Sequence, residues 1–290
     1  MRSMFAALFT TLLTCALPAA ADDNAIPPLD PDKGYVEPFQ LFDNVYYVGD
    51  KWISAYVIKT SAGLILVDTL EAPYGRWIPG NMRKLGLDPA ALKIILVTHG
   101  HSDHLSGAQY LQSHFGSRVL MSAADLSLAK AQAAKSRKQE SGAFTLPKFE
   151  LVKRDGREVT LGDTTVKLYL TPGHTPGSMS VDFFARLGDK RYRAFIVGGM
   201  GTNFEGRERA EQYLASVHRI RQLAAREPRV QVNLTNHPRM CQLFERKARA
   251  EREGVEKVFV DAGNFSALLD TLEQRGRDKL EAIASAQVSE

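Results

Sequence analysis

The stretch His99-Gly100-His101-Ser102-Asp103-His104 places four metal-ligand side chains within six residues. It follows the apolar run 93–98, which is typical of a buried strand, and a helical pattern over 105–115 comes after it. A polar loop between a strand and a helix is where α/β folds place their chemistry. Packing alone does not account for such a cluster, so the sequence predicts a metal site in this loop.

Two more histidines come directly after predicted strands, His174 after 165–170 and His237 after 230–235. Strand ends in a layered α/β fold share one edge, so the three loops can converge. Zinc accepts imidazole nitrogen and carboxylate oxygen, and a pair of ions needs roughly six protein ligands. The sequence offers six candidates: His99, His101, Asp103, His104, His174 and His237. His114 and His218 lie in predicted helices and are assigned no ligand role.

Outside these loops, the pattern alternates between strand-rich blocks and helices, which predicts one domain with two sheets back to back and helices outside. Tyr74 and Trp77 follow a strand end, where they either line the groove or pack in the core. We expect Asn264 to cap the last helix. Predicted strands cover 45–48, 54–58, 64–67, 93–98, 118–121, 150–153, 165–170, 178–184, 191–197 and 230–235, and predicted helices cover 77–85, 105–115, 123–138 and 207–226.

The N-terminal segment has the pattern of a secretory signal peptide. Arg2 precedes the apolar run 4–17, and small residues at 18–21 resemble a cleavage site. We therefore expect a signal peptide over 1–21, a single mature domain over 22–290, and a periplasmic or secreted protein. Cys15 leaves a lipid anchor as the alternative. If Cys15 is removed with the signal, Cys241 stands alone and no internal disulfide can form.

The charge balance does not require a polyanionic partner. Lys and Arg number 37 against 33 Asp and Glu, for a net charge of +4. Basic residues are spread among glutamates, and no basic patch with interleaved aromatic residues indicates nucleic acid. We expect a small-molecule substrate, no nucleic acid and no membrane partner, and we assume a monomer.

The motif His99-x-His101-x-Asp103-His104, together with Thr171-Pro172-Gly173-His174-Thr175-Pro176-Gly177-Ser178, resembles the metallo-β-lactamase superfamily. Residues 64–68 are similar to the strand before the first loop of that family, and residues 155–163 to the hairpin before the second. The resemblance implies an α/β fold of the four-layer αββα sandwich type.

The segment after the predicted strand 191–197 favours one branch of the superfamily. Glyoxalase-II-like thioesterases, lactonases and tRNA-processing nucleases place a metal-bridging aspartate there, and the thiolate-ligand β-lactamases place a cysteine nearby. Gly198-Gly199-Met200-Gly201 supplies neither. The chain therefore most resembles the exported, all-histidine subclass B3 β-lactamases. That resemblance implies two zinc ions per chain, the first held by His99, His101 and His174 and the second by Asp103, His104 and His237.

The implied activity is zinc-dependent hydrolysis of the β-lactam amide bond by a metal-bridged hydroxide, which confers antibiotic resistance. Asp103 would be both a ligand and the catalytic residue that orients the nucleophile. Subclass B3 enzymes usually carry serines after this strand to bind the substrate carboxylate, and here Thr202 and Asn203 are the candidate donors. One alternative is an exported di-zinc hydrolase of another ester, lactone or amide, with β-lactams as a side activity. Another is a zinc-binding protein without catalysis.

Overall fold

The computed structural model describes residues 25–138 and 142–288. The signal peptide predicted over 1–21 lies outside the described residues. The strands are β1 Phe39–Phe42, β2 Val45–Tyr47, β3 Tyr56–Thr60, β4 Gly63–Val67, β5 Leu92–Leu96, β6 Arg118–Ser122, β7 Phe149–Val152, β8 Arg157–Leu161, β9 Thr164–Leu170, β10 Met179–Leu187, β11 Lys190–Val197 and β12 Val230–Thr235. The helices are α1 Trp77–Lys84, α2 Ser102–Leu105, α3 Ala108–Phe115, α4 Leu126–Ser136, α5 Arg207–Ala224, α6 Leu243–Glu253, α7 Val255–Phe259 and α8 Ala262–Val288.

Two sheets form the centre of the molecule. The first runs β1-β2-β3-β4-β5-β6-β7, antiparallel as far as β4 and parallel from β4 onward. The second runs β12-β11-β10-β9-β8 and is antiparallel except for the β11–β12 pair. Two-residue alternation of side chains lets each strand contact a different layer on each face. Ile65 therefore packs between the sheets, while Leu66 faces the helices outside the first sheet.

Three apolar clusters fill the spaces between the layers. The central cluster joins the inner faces of both sheets, and includes Tyr56 from the first and Phe183 from the second. An outer cluster lies between the first sheet and α1, α3 and α4. The third cluster lies between the second sheet and α5 and α8, and includes Tyr213 of α5 and Phe265 of α8. This arrangement confirms the predicted four-layer αββα sandwich.

The start of the last helix differs from the sequence prediction. The last helix begins at Ala262, so Asn264 lies inside it. The Asp261 carboxylate instead accepts hydrogen bonds from the backbone nitrogens of Gly263 and Asn264, at 2.8 and 3.2 Å. Asn264 Oδ1 accepts a hydrogen bond from Asn233 Nδ2, which anchors the helix to β12. Within the described residues, no helix is long and apolar enough to cross a membrane.

Candidate metal centre

The site forms where strands of both sheets end at one edge. His99 follows β5, which is parallel to β4, and His237 follows β12, which is parallel to β11. His174 follows β9, which runs in the same direction as β11 because both are antiparallel to β10. The first sheet thus supplies the His99–His104 loop, and the second sheet supplies His174 and His237.

Three imidazole nitrogens form a nearly equilateral triangle. His99 Nε2 lies 3.1 Å from His101 Nδ1 and 3.2 Å from His174 Nε2, and the His101–His174 distance is 3.0 Å. Hydrogen bonds cannot satisfy all three pairs, since each such bond needs one protonated and one free nitrogen. A tetrahedral zinc ion with Zn–N bonds of about 2.0–2.1 Å separates its nitrogen ligands by about 3.3 Å. The triangle therefore fits a zinc ion.

The second predicted group lies beside the first. His104 Nε2 is 3.2 Å from Asp103 Oδ2 and 3.3 Å from His237 Nε2. Ligand atoms of His99, Asp103 and His104 also cluster, so His99 borders both groups. All six predicted ligands are thus brought together, and the donor set of imidazoles and a carboxylate suits zinc.

Hydrogen bonds on the far side of four of the five histidine rings orient these ligands. His104 Nδ1 lies 2.8 Å from Asp68 Oδ2, and His99 Nδ1 lies 3.1 Å from Thr98 Oγ1. His174 Nδ1 and His237 Nδ1 each lie 3.0 Å from a backbone carbonyl oxygen, of Gly201 and Trp52 respectively. An acceptor at Nδ1 holds the proton there and leaves Nε2 free for a metal. In all four residues, Nε2 is the nitrogen that faces the cluster.

Burial keeps most of these rings neutral. It lowers the pKa of His99 well below its ordinary value, lowers the pKa of His174 to about 4, and also lowers the pKa of His101 and of His237. Neutral imidazole is the form that coordinates a metal. These four residues therefore need no deprotonation before they bind zinc at pH 7.

The pair formed by Asp103 and His104 behaves differently. Burial lowers the pKa of His104, but the carboxylates of Asp103 and Asp68 outweigh burial and raise this pKa to about 10. Burial raises the pKa of Asp103, and the charge of His104 outweighs it and holds that pKa well below the usual range. Without an ion the two side chains form a charged pair, so zinc binding at His104 requires the release of one proton.

Asp68 is a supporting residue that the sequence analysis did not assign. Its carboxylate is fully buried and accepts hydrogen bonds from Thr98 N at 2.7 Å and from Thr98 Oγ1 at 2.8 Å, as well as facing His104. Its φ of 60° lies in the left-handed region, a conformation that costs about 1–3 kcal/mol for a residue other than glycine. The feature of the sequence that could have identified Asp68 is its position, a carboxylate directly after the apolar residues of a predicted strand.

A cleft of 930 Å³ opens over the histidines. Asn203 lines it, as predicted, but Thr202 is not among its lining residues. Neither Tyr74 nor Trp77 lines it, and Trp77 is buried, with Nε1 donating to Pro27 O at 3.0 Å. Its walls include three residues that sequence reasoning missed, Trp52, Arg239 and Arg275. Arg275 comes from the distant helix α8, and no local pattern marks it.

Comparison with known proteins agrees with this geometry. A family model described as the metallo-beta-lactamase superfamily matches residues 49–186. The subclass B3 metallo-beta-lactamase BJP-1 of Bradyrhizobium japonicum is 30% identical, with a TM-score of 0.76 over 87% of this chain and 96% of that one. The chain belongs to the metallo-beta-lactamase superfamily. A second solved structure, of the metallo-beta-lactamase SMB-1 in complex with mercaptoacetic acid, is 26% identical. Its TM-score is 0.74 over 85% of this chain and 97% of that one.

Curated relatives within the superfamily carry a different name. A hydroxyacylglutathione hydrolase of Acidiphilium cryptum is 30% identical over 192 residues, which are 65% of this chain and 62% of that protein. A protein of the same name from Methylococcus capsulatus is 28% identical over 181 residues, 57% of this chain and 62% of that protein. The chain thus spans about three fifths of the length of these relatives. Membership of the superfamily agrees with the cluster of candidate metal ligands and leaves the activity and the substrate open.

Proposed function

We propose that this protein is a zinc-dependent hydrolase that opens the amide bond of β-lactams, with two zinc ions per chain. His99, His101 and His174 would hold the first ion, and Asp103, His104 and His237 the second. When bound, zinc polarises a carbonyl oxygen and lowers the pKa of coordinated water to about 7. Asp103, fixed by its contact with His104, would orient the nucleophile toward the carbonyl carbon.

The segment after β11 is the observation that carries this proposal. A thioesterase of the glyoxalase-II type needs a bridging aspartate there, and the residues are Gly198-Gly199-Met200-Gly201. No side chain fits at Gly199, because an added Cβ would collide with the Ser178 side chain and lie 3.1 Å from His174 Cβ. A Cβ on Gly198 would likewise collide with the Met179 carbonyl oxygen. Neither position therefore has room for an aspartate side chain without a shift of its neighbours.

A second candidate function follows from the hydroxyacylglutathione hydrolase relatives. In that case the same six residues would serve an exported hydrolase of another ester, thioester, lactone or amide, with β-lactams as a side activity. The glycine segment argues against a thioesterase or lactonase, because the glyoxalase-II-like members of the superfamily place an aspartate there and this chain has none. Export itself stays a prediction of the N-terminal sequence.

The test is hydrolysis of a penicillin, a cephalosporin and a carbapenem by the zinc-supplemented protein, beside a lactone and a hydroxyacylglutathione thioester. We expect β-lactam turnover that a chelator abolishes and added zinc restores. His174→Ala should abolish it, and His218→Ala, on an exposed face of α5, should not. Turnover of only the lactone or the thioester would replace the proposal with the second candidate. Zinc binding without turnover of any compound would indicate a non-catalytic zinc protein.

A further inference from the structure

The segment after β11 offers few side-chain hydrogen-bond donors to an anionic substrate. Met200 is buried, and its carbonyl oxygen already accepts a hydrogen bond from the Tyr213 hydroxyl at 2.9 Å. Since Thr202 does not line the cleft, Asn203 is the polar side chain of this segment that does. A substrate carboxylate therefore needs donors from elsewhere in the cleft.

Three cationic side chains line the cleft from three separate elements. Lys51 lies in the loop between β2 and β3, Arg239 comes two residues after His237, and Arg275 lies on α8. In the described parts of the chain, none of the three makes an ion pair with a carboxylate. By contrast, Arg277 on the same helix α8 is paired with Glu273 at 2.6 Å. The cleft cations are thus left available to an anion.

Arg239 and Arg275 both line the cleft and are linked through the segment that follows His237. Arg275 Nη1 contacts Met240 Sδ at 3.2 Å, so α8 reaches the segment that carries Arg239. Two carboxylates also line the cleft. Asp103 is engaged with His104, and Glu245 is exposed and makes no ion pair within the described residues. Two guanidinium groups therefore line the same cleft as His237 and Asp103 of the predicted second metal group.

We propose that Arg239 and Arg275 determine specificity by binding the substrate carboxylate, in place of the donors that the glycine segment lacks. This inference rests on the proposed function and names the substrate class of the same site. Guanidinium groups bind carboxylates through paired, charge-assisted hydrogen bonds. Trp52, which is 51% exposed, and Phe244 add apolar surface to the cleft. The site thus selects compounds that join a carboxylate to an apolar acyl group, and neutral lactones gain nothing from the arginines.

The test compares a penicillin with its methyl ester, which masks the carboxylate. The proteins are zinc-loaded wild type, Arg239→Gln, Arg275→Gln, the double variant, and Arg239→Lys. Arg252→Gln is the matched control, since Arg252 is exposed on α6 and does not line the cleft. We expect KM for the acid to rise about 10-fold or more in the Gln variants, the loss typical of a charge-assisted hydrogen bond. The KM for the ester should stay unchanged, and Arg239→Lys should recover part of the loss.

Equal changes for acid and ester, or no change for the acid in the double variant, would overturn the inference. If the wild type hydrolyses neither compound, the proposed function fails, but calorimetry on the same zinc-loaded proteins still tests whether the two arginines bind the carboxylate. A lower Kd for the acid than for the ester in the wild type, with this difference lost in the double variant, would then support that role. Equal Kd values for acid and ester in the wild type would refute the role of the arginines in binding the carboxylate.

Discussion

The Asp125 carboxylate accepts a hydrogen bond from the backbone nitrogen of Gly100 at a distance of 2.8 Å. The same oxygen accepts from Thr175 Oγ1 at 2.7 Å, and the other oxygen accepts from Gly177 N at 2.6 Å. Asp125 is fully buried. One side chain therefore joins the His99–His104 loop of the first sheet to the His174 loop of the second.

Replacing Asp125 with Asn should weaken both the fold and the metal site. The amide nitrogen cannot accept a hydrogen bond, so one buried donor loses its partner at a cost of about 1–3 kcal/mol. We expect a lower free energy of unfolding for the metal-free protein in urea, and weaker zinc binding in competition with a chromophoric chelator. Asp189→Asn, at an exposed turn, is the control. Zinc affinity equal to that of wild type would contradict the linking role.

Asp68→Asn tests the orientation of His104. The variant removes the carboxylate that faces His104 Nδ1, and loss of such a supporting contact typically lowers metal affinity about 10–100-fold. Competition with a chelator measures that affinity directly. A change confined to unfolding stability, with zinc affinity intact, would show that Asp68 only supports the fold.

His174→Ala should remove a ligand of the first predicted ion and leave the second group complete. We expect the zinc content of the purified variant, measured by elemental analysis, to fall by about half if each ion keeps its own set of ligands. His114→Ala, on the exposed end of α3, should retain the wild-type content. Full zinc content in His174→Ala would disprove its assignment as a ligand.

The ion pair between Asp182 and Arg193 should be important for the stability of the second sheet. Arg193 Nη2 lies 2.6 Å from Asp182 Oδ2, with both side chains 9% exposed. Removing one partner of a buried pair costs about 3–5 kcal/mol, because the other charge stays buried and unpaired. Arg193→Met should therefore lower the free energy of unfolding in urea by that order. The double variant Asp182→Leu/Arg193→Met should be more stable than Arg193→Met, and a lower stability would contradict this explanation.

The six candidate ligands could be recognised in the sequence because they sit at strand ends in short, distinctive motifs. The strands themselves were visible as apolar runs, and the layered fold followed from their order. Asp125 was not predictable, since it contacts Gly100 and Gly177 only after β6 and β10 are in place. Arg275 lies in a helix with ordinary surface composition and reaches the cleft only because α8 packs against α5.

The orientation of two other side chains could not be predicted, for the same physical reason. Thr202 follows β11 as closely as a substrate donor should, but Asn203 lines the cleft and Thr202 does not. For Trp77 the sequence left open whether the side chain lines the groove or packs in the core, and it is buried, with a ring separation of 5.4 Å from Tyr35. In each case, the direction of a side chain depended on tertiary contacts that no local pattern encodes.

The ligands are divided between the two sheets, with four on the loop after β5 and two on loops of the other sheet. An ion shared in this way cannot stay bound if the halves of the sandwich separate at that edge. Loss of the proposed zinc ions and opening of the molecule would then be thermodynamically linked, and free zinc would stabilise the closed form in proportion to the logarithm of its concentration. In a zinc-poor environment, the two halves of the sandwich would therefore separate more readily at this edge.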